Sequence, residues 1–285
     1  MIGRAAIAIL AAGQALSMLM QSQGAPQTPT FRTQTNLVVV DVTVLTAGKP
    51  VAGLQPQDFQ VLDNGVPQRV EFIAPAAIPL DVSLVVETKV WSAVDPLRFW
   101  DDVEAVGKRL RPGDRLGLTT FATVVYEEFP LQAVPVTIPG RPSRMAGFSR
   151  LYDALVQAMM RPTAGGRRHL IMGMTRGGDA ISVASPAQAV GIAKRCDAVV
   201  YLVLQGSRLG VNPLLDEVAY STGGDVVNET GIARAFDKVL ASLNAGYLLS
   251  YVPAGVARDG WHDITVTVTK PGNHTVRARR GYFAG

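Results

Sequence analysis

Between residues 80 and 246, strand-length apolar runs alternate with helix-length amphipathic stretches, and no other feature limits the fold of this chain so strongly. DVSLVVET (81–88), RLGLTTFA (115–122), HLIMGMT (169–175) and AVVYLVLQG (198–206) read as strands. At 82–86 and 198–204 the run is near-continuously apolar, as suits a strand covered on both faces. PLRFWDDVEAVGKRLR (96–111), SRLYDALVQAMMR (149–161), SPAQAVGIAKRCD (185–197), NPLLDEVAYSTGG (212–224) and GIARAFDKVLASLNAG (231–246) read as helices. The first of these has Pro96 in its opening turn and basic residues in its last, both favourable placements. VVYEEFPL (124–131) predicts an edge strand and DVVNE (225–229) a short one. This alternation predicts an α/β domain: a doubly wound, mostly parallel six-stranded sheet with right-handed crossovers.

The flanks are β in texture. NLVVVDVTVLT (36–46) is β-branched, and FQVLDNGVPQRVEFIA (59–74) reads as two strands joined through the hairpin signal Asp63-Asn64-Gly65. After residue 246 come YLLSYVPA (247–254), HDITVTVTK (262–270) with Ile264, Val266 and Val268 on one face, and HTVRARRGYFA (274–284). About three strands per flank is marginal alone. The expectation is a small β-sandwich made jointly from residues 36–76 and 247–285, with the α/β domain (80–246) inserted between them.

The opening MIGRAAIAILAAGQALSMLMQSQGAPQ has a positive start at Arg4, a mostly apolar stretch over 5–20 and small residues at Ser22 and Gly24. It predicts a signal peptide over 1–24, a linker over 25–35 and an exported protein, periplasmic or extracellular, with no stable membrane span after cleavage. The alternative is a short uncleaved anchor. With 48% apolar and 18% charged residues the chain suits a compact soluble fold rather than disorder. The basic runs Gly165-Gly166-Arg167-Arg168 and Arg277-Ala278-Arg279-Arg280 are short and lack an aromatic face. They read as solvated surface, and no nucleic-acid partner is expected. The single Cys196 reads as a small buried hydrophobe.

Signals for catalysis are thin. His169, His262 and His274 are far apart and in no metal-ligand spacing. No nucleophile elbow, phosphate loop or dinucleotide fingerprint is present. No catalytic residue, metal or cofactor is therefore assigned, and the chain reads as a non-enzyme. Asp58 and Asp63 read as turn-makers, and Asp179 as a loop carboxylate or a cap for the helix that follows it.

In an open α/β sheet, ligands bind at the carboxyl ends of the strands. Here the first strand ends in Glu87-Thr88-Lys89-Val90-Trp91. This region, with RPGDRLGLTTFA, SRLYDALVQAM and VAYSTGGDVV, resembles the von Willebrand factor A domain. Together with the flanks FRTQTNLVVVDVTV, GLQPQDFQVLDNGVPQ and AGYLLSYVPAGVARDGWHDITVTV, the chain from residue 31 to 285 resembles the exported bacterial VWFA-related group. The resemblance implies a strand-tip site. Metal-binding relatives carry Asp-x-Ser-x-Ser after the first strand, a Thr from a later loop and an Asp after the fourth strand, oxygens suited to Mg²⁺.

In this chain those positions match Glu87, Lys89 and Trp91, then Ser149, then Arg176 in MTRGGD. Two hydroxyls and a carboxylate are replaced, and two cations are introduced. A divalent ion beside Lys89 and Arg176 would meet like charge at close range, so no metal is expected. One reading is decay of the site. The other is replacement, with Arg176 or Lys89 pairing with Glu87 or holding a partner's acidic side chain, and Trp91 as an aromatic anchor. The resulting expectation is a protein-binding adhesion or scaffold module using Glu87, Lys89, Trp91, Ser149, Arg176 and Asp179. The alternatives are a structural envelope component, or a hydrolase using Glu87, Asp153 or Asp179.

Overall fold

The computed structural model describes residues 37–72, 78–88, 96–138, 147–162, 164, 166–206 and 211–284. The expected signal peptide and linker, and the site positions Lys89 and Trp91, lie outside the described residues. In chain order the strands are β1 (Val38–Thr46), β2 (Lys49–Pro50), β3 (Phe59–Asp63), β4 (Val66–Gln68), β5 (Glu71–Phe72), β6 (Leu80–Glu87), β7 (Arg115–Phe121) and β8 (Val125–Ala133). They continue with β9 (Arg168–Thr175), β10 (Val199–Leu204), β11 (Val226–Asn228), β12 (Tyr247–Tyr251), β13 (Gly260–Val268), β14 (His274–Ala278) and β15 (Gly281–Ala284). The helices are α1 (Pro96–Arg109), α2 (Leu151–Met159), α3 (Pro186–Ala193), α4 (Leu214–Tyr220) and α5 (Ile232–Ala245).

Six strands form one sheet in the order β11-β10-β9-β6-β7-β8. All pairs are parallel except β7 with β8, where the edge strand turns back. β6 and β9 are buried along their whole length, so their middles (84–86 and 170–174) are apolar on both faces, while Asp81, Ser83, Glu87, Arg168, His169 and Thr175 are buried polar residues nearer their ends. One face is covered by Phe99, Trp100, Val103 and Val106 of α1 with Phe236 and Val239 of α5. The other is covered by Leu151 and Leu155 of α2, Ala189 of α3 and Leu215 of α4. Local signals set the helix ends. Ser185 and Gln188 form a reciprocal capping box at α3, with Pro186 in its first turn. Asp102 accepts the Ile232 amide at the start of α5. After α1, Asp114 accepts the Arg111 and Leu80 amides and so ties the helix exit to the entry of β6.

The flanking strands make two further sheets, β14-β1-β12-β5 with β2 beside β1, and β15-β13-β3-β4. Each sheet mixes strands from before and after the α/β unit: β1 lies between β14 and β12, and β3 between β13 and β4. They share a core of Val40, Val42, Phe59, Val61, Leu249, Tyr251, Ile264 and Tyr282.

The amino ends of the α/β strands carry the joint with this β unit. Arg168, the first residue of β9, bonds to Asp41 of β1. Arg279 pairs with Asp197 just before β10, and Arg280 lies 3.3 Å from Glu217 of α4. Arg277 Nη1 lies 2.6 Å from Asp225 Oδ1, just before β11, as a charge contact without hydrogen-bond alignment. A bridge joins the backbones of Thr222 and Arg279. Apart from the exposed Arg280, the arginines of the two basic runs are therefore largely buried in ion pairs rather than forming solvated faces. Arg167 and Arg168 are paired with Asp81 and Asp41, and the second run docks one unit on the other. The carboxylates of Asp197, Asp225 and Glu217, at the strand entries and on α4, attract these guanidinium groups.

Candidate functional site

The carboxyl ends of the strands form the opposite pole, where the sequence places the site. Glu87 ends the central strand β6 and is only 3% exposed. Its Oε2 accepts the Thr175 hydroxyl at 2.7 Å and the Arg176 backbone amide at 3.0 Å. Thr175 Oγ1 in turn accepts the Gly177 amide at 2.9 Å. The buried carboxylate is thus held by the turn leaving β9, and neutral donors offset part of its desolvation.

This corrects one expectation. The Arg176 contact with Glu87 is made by the main chain, while the Arg176 side chain is exposed. Every residue but proline carries that amide, so the interaction leaves no mark in the side-chain sequence.

Ser149 stands beside this turn. Its carbonyl accepts the Ala180 and Ile181 amides at 3.0 and 3.2 Å, and its buried Oγ has no hydrogen-bond partner among the described residues. Asp179 accepts the Ser182 hydroxyl at 2.6 Å and, more weakly, the Tyr152 amide at 3.4 Å. It therefore supports the start of the preceding helix α2 rather than capping α3, whose cap is Ser185.

Asp153 receives the Val183 and Ala184 amides at 3.0 and 2.8 Å and Arg150 at 3.0 Å. Burial pushes its carboxyl up, but those amides and Arg150 more than offset it and leave it below the ordinary range. Arg150 also bonds the Thr123 carbonyl. Two loops (122–124 and 176–184) and the entry to α2 (147–153) are laced into one surface from which Val124, Phe148 and Val183 project exposed.

The structure brings Glu87 together with the Arg176 main chain, and links Ser149 and Asp179 through the 176–184 loop. Among the described residues no group of three or more His, Cys, Asp or Glu side chains is placed to hold a metal ion.

Two buried polar clusters elsewhere were missed in the sequence. Asp63, read as a turn-maker, is fully buried between the β sheets. Its Oδ1 lies 2.6 Å from His262 Nδ1, and its Oδ2 accepts the Tyr251 and Tyr282 hydroxyls at 2.9 and 2.8 Å. In the α/β sheet, Ser83 Oγ and His169 Nε2 are 2.9 Å apart, while the neighbouring Asp81 carboxylate is taken by Arg115 and Arg167. Burial lowers the His169 imidazole to about 4. A neutral, enclosed imidazole of this kind is a packed polar pair. Burial pushes the Cys196 thiol up to about 11, in keeping with its reading as a small hydrophobe.

No protein-family model matches the chain, and no curated protein matches it in sequence. Among solved structures it is similar to proximal thread matrix protein 1 from the mussel byssus with a zinc-occupied MIDAS motif: 16% identity, TM-score 0.48, 63% of this chain and 49% of that one. It is similar to the ArnB paralog VWA2 from Sulfolobus acidocaldarius at 7% identity and TM-score 0.48, over 86% of this chain and 75% of that one. It is similar to a von Willebrand factor type A protein from Catenulispora acidiphila at 10% identity and TM-score 0.48, over 86% and 73%. The chain spans about half the length of the mussel protein. At TM-scores below 0.5 no ligand or partner passes from these proteins to this one. In its strand-helix order, its mixed sheet and the sequence phrases above, the α/β unit resembles a von Willebrand factor A domain.

Proposed function

We propose that this is an exported, non-enzymatic protein-binding module that uses the strand-tip face of its A-type domain without a bound metal. The observation that carries the proposal is the polarity of the molecule. The amino-end pole is engaged by the β unit through Arg168, Arg277, Arg279 and Arg280, whereas the strand-tip pole presents Val124 and Phe148 exposed, on the same end of the sheet as the exposed Arg176. A rigid surface combining apolar side chains and a cation suits a partner with an acidic side chain beside an apolar one.

At the position where metal-binding relatives place a carboxylate this chain carries Arg176, which removes a ligand and adds a cation to the strand-tip face. The two flanking segments are read with this as one β-sandwich frame that carries the A-type domain. Lys89 and Trp91 belong to the proposal through their sequence positions alone. Among the described residues no helix is long and apolar enough to cross a membrane. Export and a periplasmic or extracellular location rest on the sequence of residues 1–24.

Pull-down of exported proteins, with and without chelator, by the wild-type chain and by Arg176→Glu tests the reading. Capture that survives chelator and is lost in Arg176→Glu supports it. Chelator-sensitive capture, or calorimetric Mg²⁺ or Mn²⁺ binding that disappears in Glu87→Ala, overturns it.

A further inference from the structure

Between α2 and α3 runs a groove of about 670 Å³, lined among others by Val156, Val183, Gly191, Ile192, Lys194 and Arg195. Three independent features single it out. Val183 at its mouth is 87% exposed, and its amide and that of Ala184 are fixed on Asp153 at 3.0 and 2.8 Å. An apolar side chain is thus held outward on a pinned loop, with no freedom to fold into the core. Gly191 lies inside α3, where glycine weakens a helix relative to alanine, and a Cβ built on it meets nothing within 4 Å. Nothing inside the fold asks for glycine there, and its missing side chain leaves the groove wall open to close approach by another backbone. At the far end, Lys194 shares Glu217 with Arg280, each 3.3 Å away, and Arg195 stands exposed beside them. Of the charged residues lining the groove, Lys194 and Arg195 stand at this end, while Asp153 already accepts the Val183 and Ala184 amides and Arg150, so cationic side chains are what a ligand meets here.

We propose that the groove takes one segment of a partner protein. The segment is apolar where it lies along Val156, Val183 and Ile192, passes its backbone close to Gly191, and is acidic where it reaches Lys194 and Arg195. Charge complementarity selects an acidic end over a basic one, and the apolar mouth selects a peptide over a free anion. This groove shares Val183 with the strand-tip surface but does not include Arg176.

A random dodecapeptide library displayed on phage, panned on the full chain and counter-selected on Gly191→Trp, tests the inference. Enriched peptides are then synthesised and their affinities read by fluorescence anisotropy. The expected peptides combine apolar residues with at least one acidic residue. They lose at least tenfold in affinity on Gly191→Trp and on the double variant Lys194→Glu/Arg195→Glu, and they bind Arg176→Ala as they bind the wild type. Gly191→Ala raises the midpoint of thermal unfolding. Several results overturn the proposal: no enrichment, enrichment of basic peptides, equal binding to Gly191→Trp and to the double variant, or sedimentation showing that a second copy of this chain fills the groove. Peptides that depend on Arg176 but not on Gly191 or Lys194 place the binding at the strand tips, and so support the proposed function while removing this inference.

Discussion

The guanidinium carbon of Arg277 lies 4.2 Å from the centroid of the Tyr220 ring, and its Nη1 lies 2.6 Å from Asp225 Oδ1. One side chain of β14 thus joins the β unit to α4 and the entry of β11. The Arg277 side chain is largely buried, whereas Asp225 and the Tyr220 ring are each about one-third exposed, so both the ion pair and the ring contact are partly screened. Arg277→Ala is expected to destabilise the chain by about 2 kcal/mol, from the ring contact, the screened pair and the lost packing of the side-chain stem. Arg277→Lys should recover less than half, because an ammonium lacks the planar face that stacks on the ring. Urea denaturation measures both. A loss below about 0.5 kcal/mol, the ordinary range for a solvated surface arginine, would contradict the docking role.

Asp63 gathers donors from three other strands: His262 of β13, Tyr251 of β12 and Tyr282 of β15. Burial, and next the bond to Asp63, push both tyrosine hydroxyls well above their ordinary range, so they remain donors at any working pH. Asp63→Ala removes the acceptor shared by three buried groups, leaving only the 3.2 Å contact between the Tyr282 hydroxyl and His262 Nδ1, and is expected to cost about 3–5 kcal/mol. Tyr282→Phe removes one donor and should cost about 1 kcal/mol. Thermal unfolding of the two variants checks the ratio. Equal, small losses would mean that the cluster does not bind the two halves of the β unit together.

His169 sets an acid limit. Its folded imidazole titrates at about 4, held down by burial, against an unfolded value of 6.5. The unfolded chain therefore takes up this proton between pH 6.5 and 4 while the folded chain refuses it, and stability falls as pH falls through that window. The full effect is on the order of 3 kcal/mol. His169→Gln keeps a polar partner for Ser83 but removes the titration. Its unfolding temperature is expected to drop less than that of the wild type between pH 6.5 and 4. Parallel curves for the two proteins would show that the imidazole is not enclosed.

What the sequence shows and what it hides follows from the range of the forces involved. β6 and β9 are legible because their middles, residues 84–86 and 170–174, are apolar runs covered on both faces. The hairpin after β3 is legible because Asn64 and Gly65, at φ of 46° and 80°, occupy a left-handed conformation that those two residues tolerate. Asp63 lies one position earlier yet makes its contacts with residues about 190 to 220 positions away, so local pattern assigned it to the turn. Arg277 and Arg279 read as surface because arginine is mostly exposed, and only the docked Asp225 and Asp197 reveal otherwise. At the site, the sequence places Glu87 and Arg176 as neighbours by resemblance. It cannot show that a main-chain amide rather than a guanidinium meets the carboxylate.

Glu87 supplies the last prediction. Its Oε2 accepts two donors, the Thr175 hydroxyl and the Arg176 amide, in a position only 3% exposed. Glu87→Gln retains a carbonyl oxygen able to accept both, so its stability should stay within about 1 kcal/mol of the wild type. Glu87→Ala strands both donors in the core and opens a cavity at the tip of β6, and should cost about 2–4 kcal/mol. The difference isolates the acceptor from the charge. Were the guanidinium of Arg176 the true partner, Glu87→Gln would lose the ion pair and approach the alanine variant, and Arg176→Ala would be destabilising to match. The exposed Arg176 side chain predicts instead that Arg176→Ala leaves stability within about 0.5 kcal/mol. Denaturant midpoints for the three variants, measured side by side, separate the two cases.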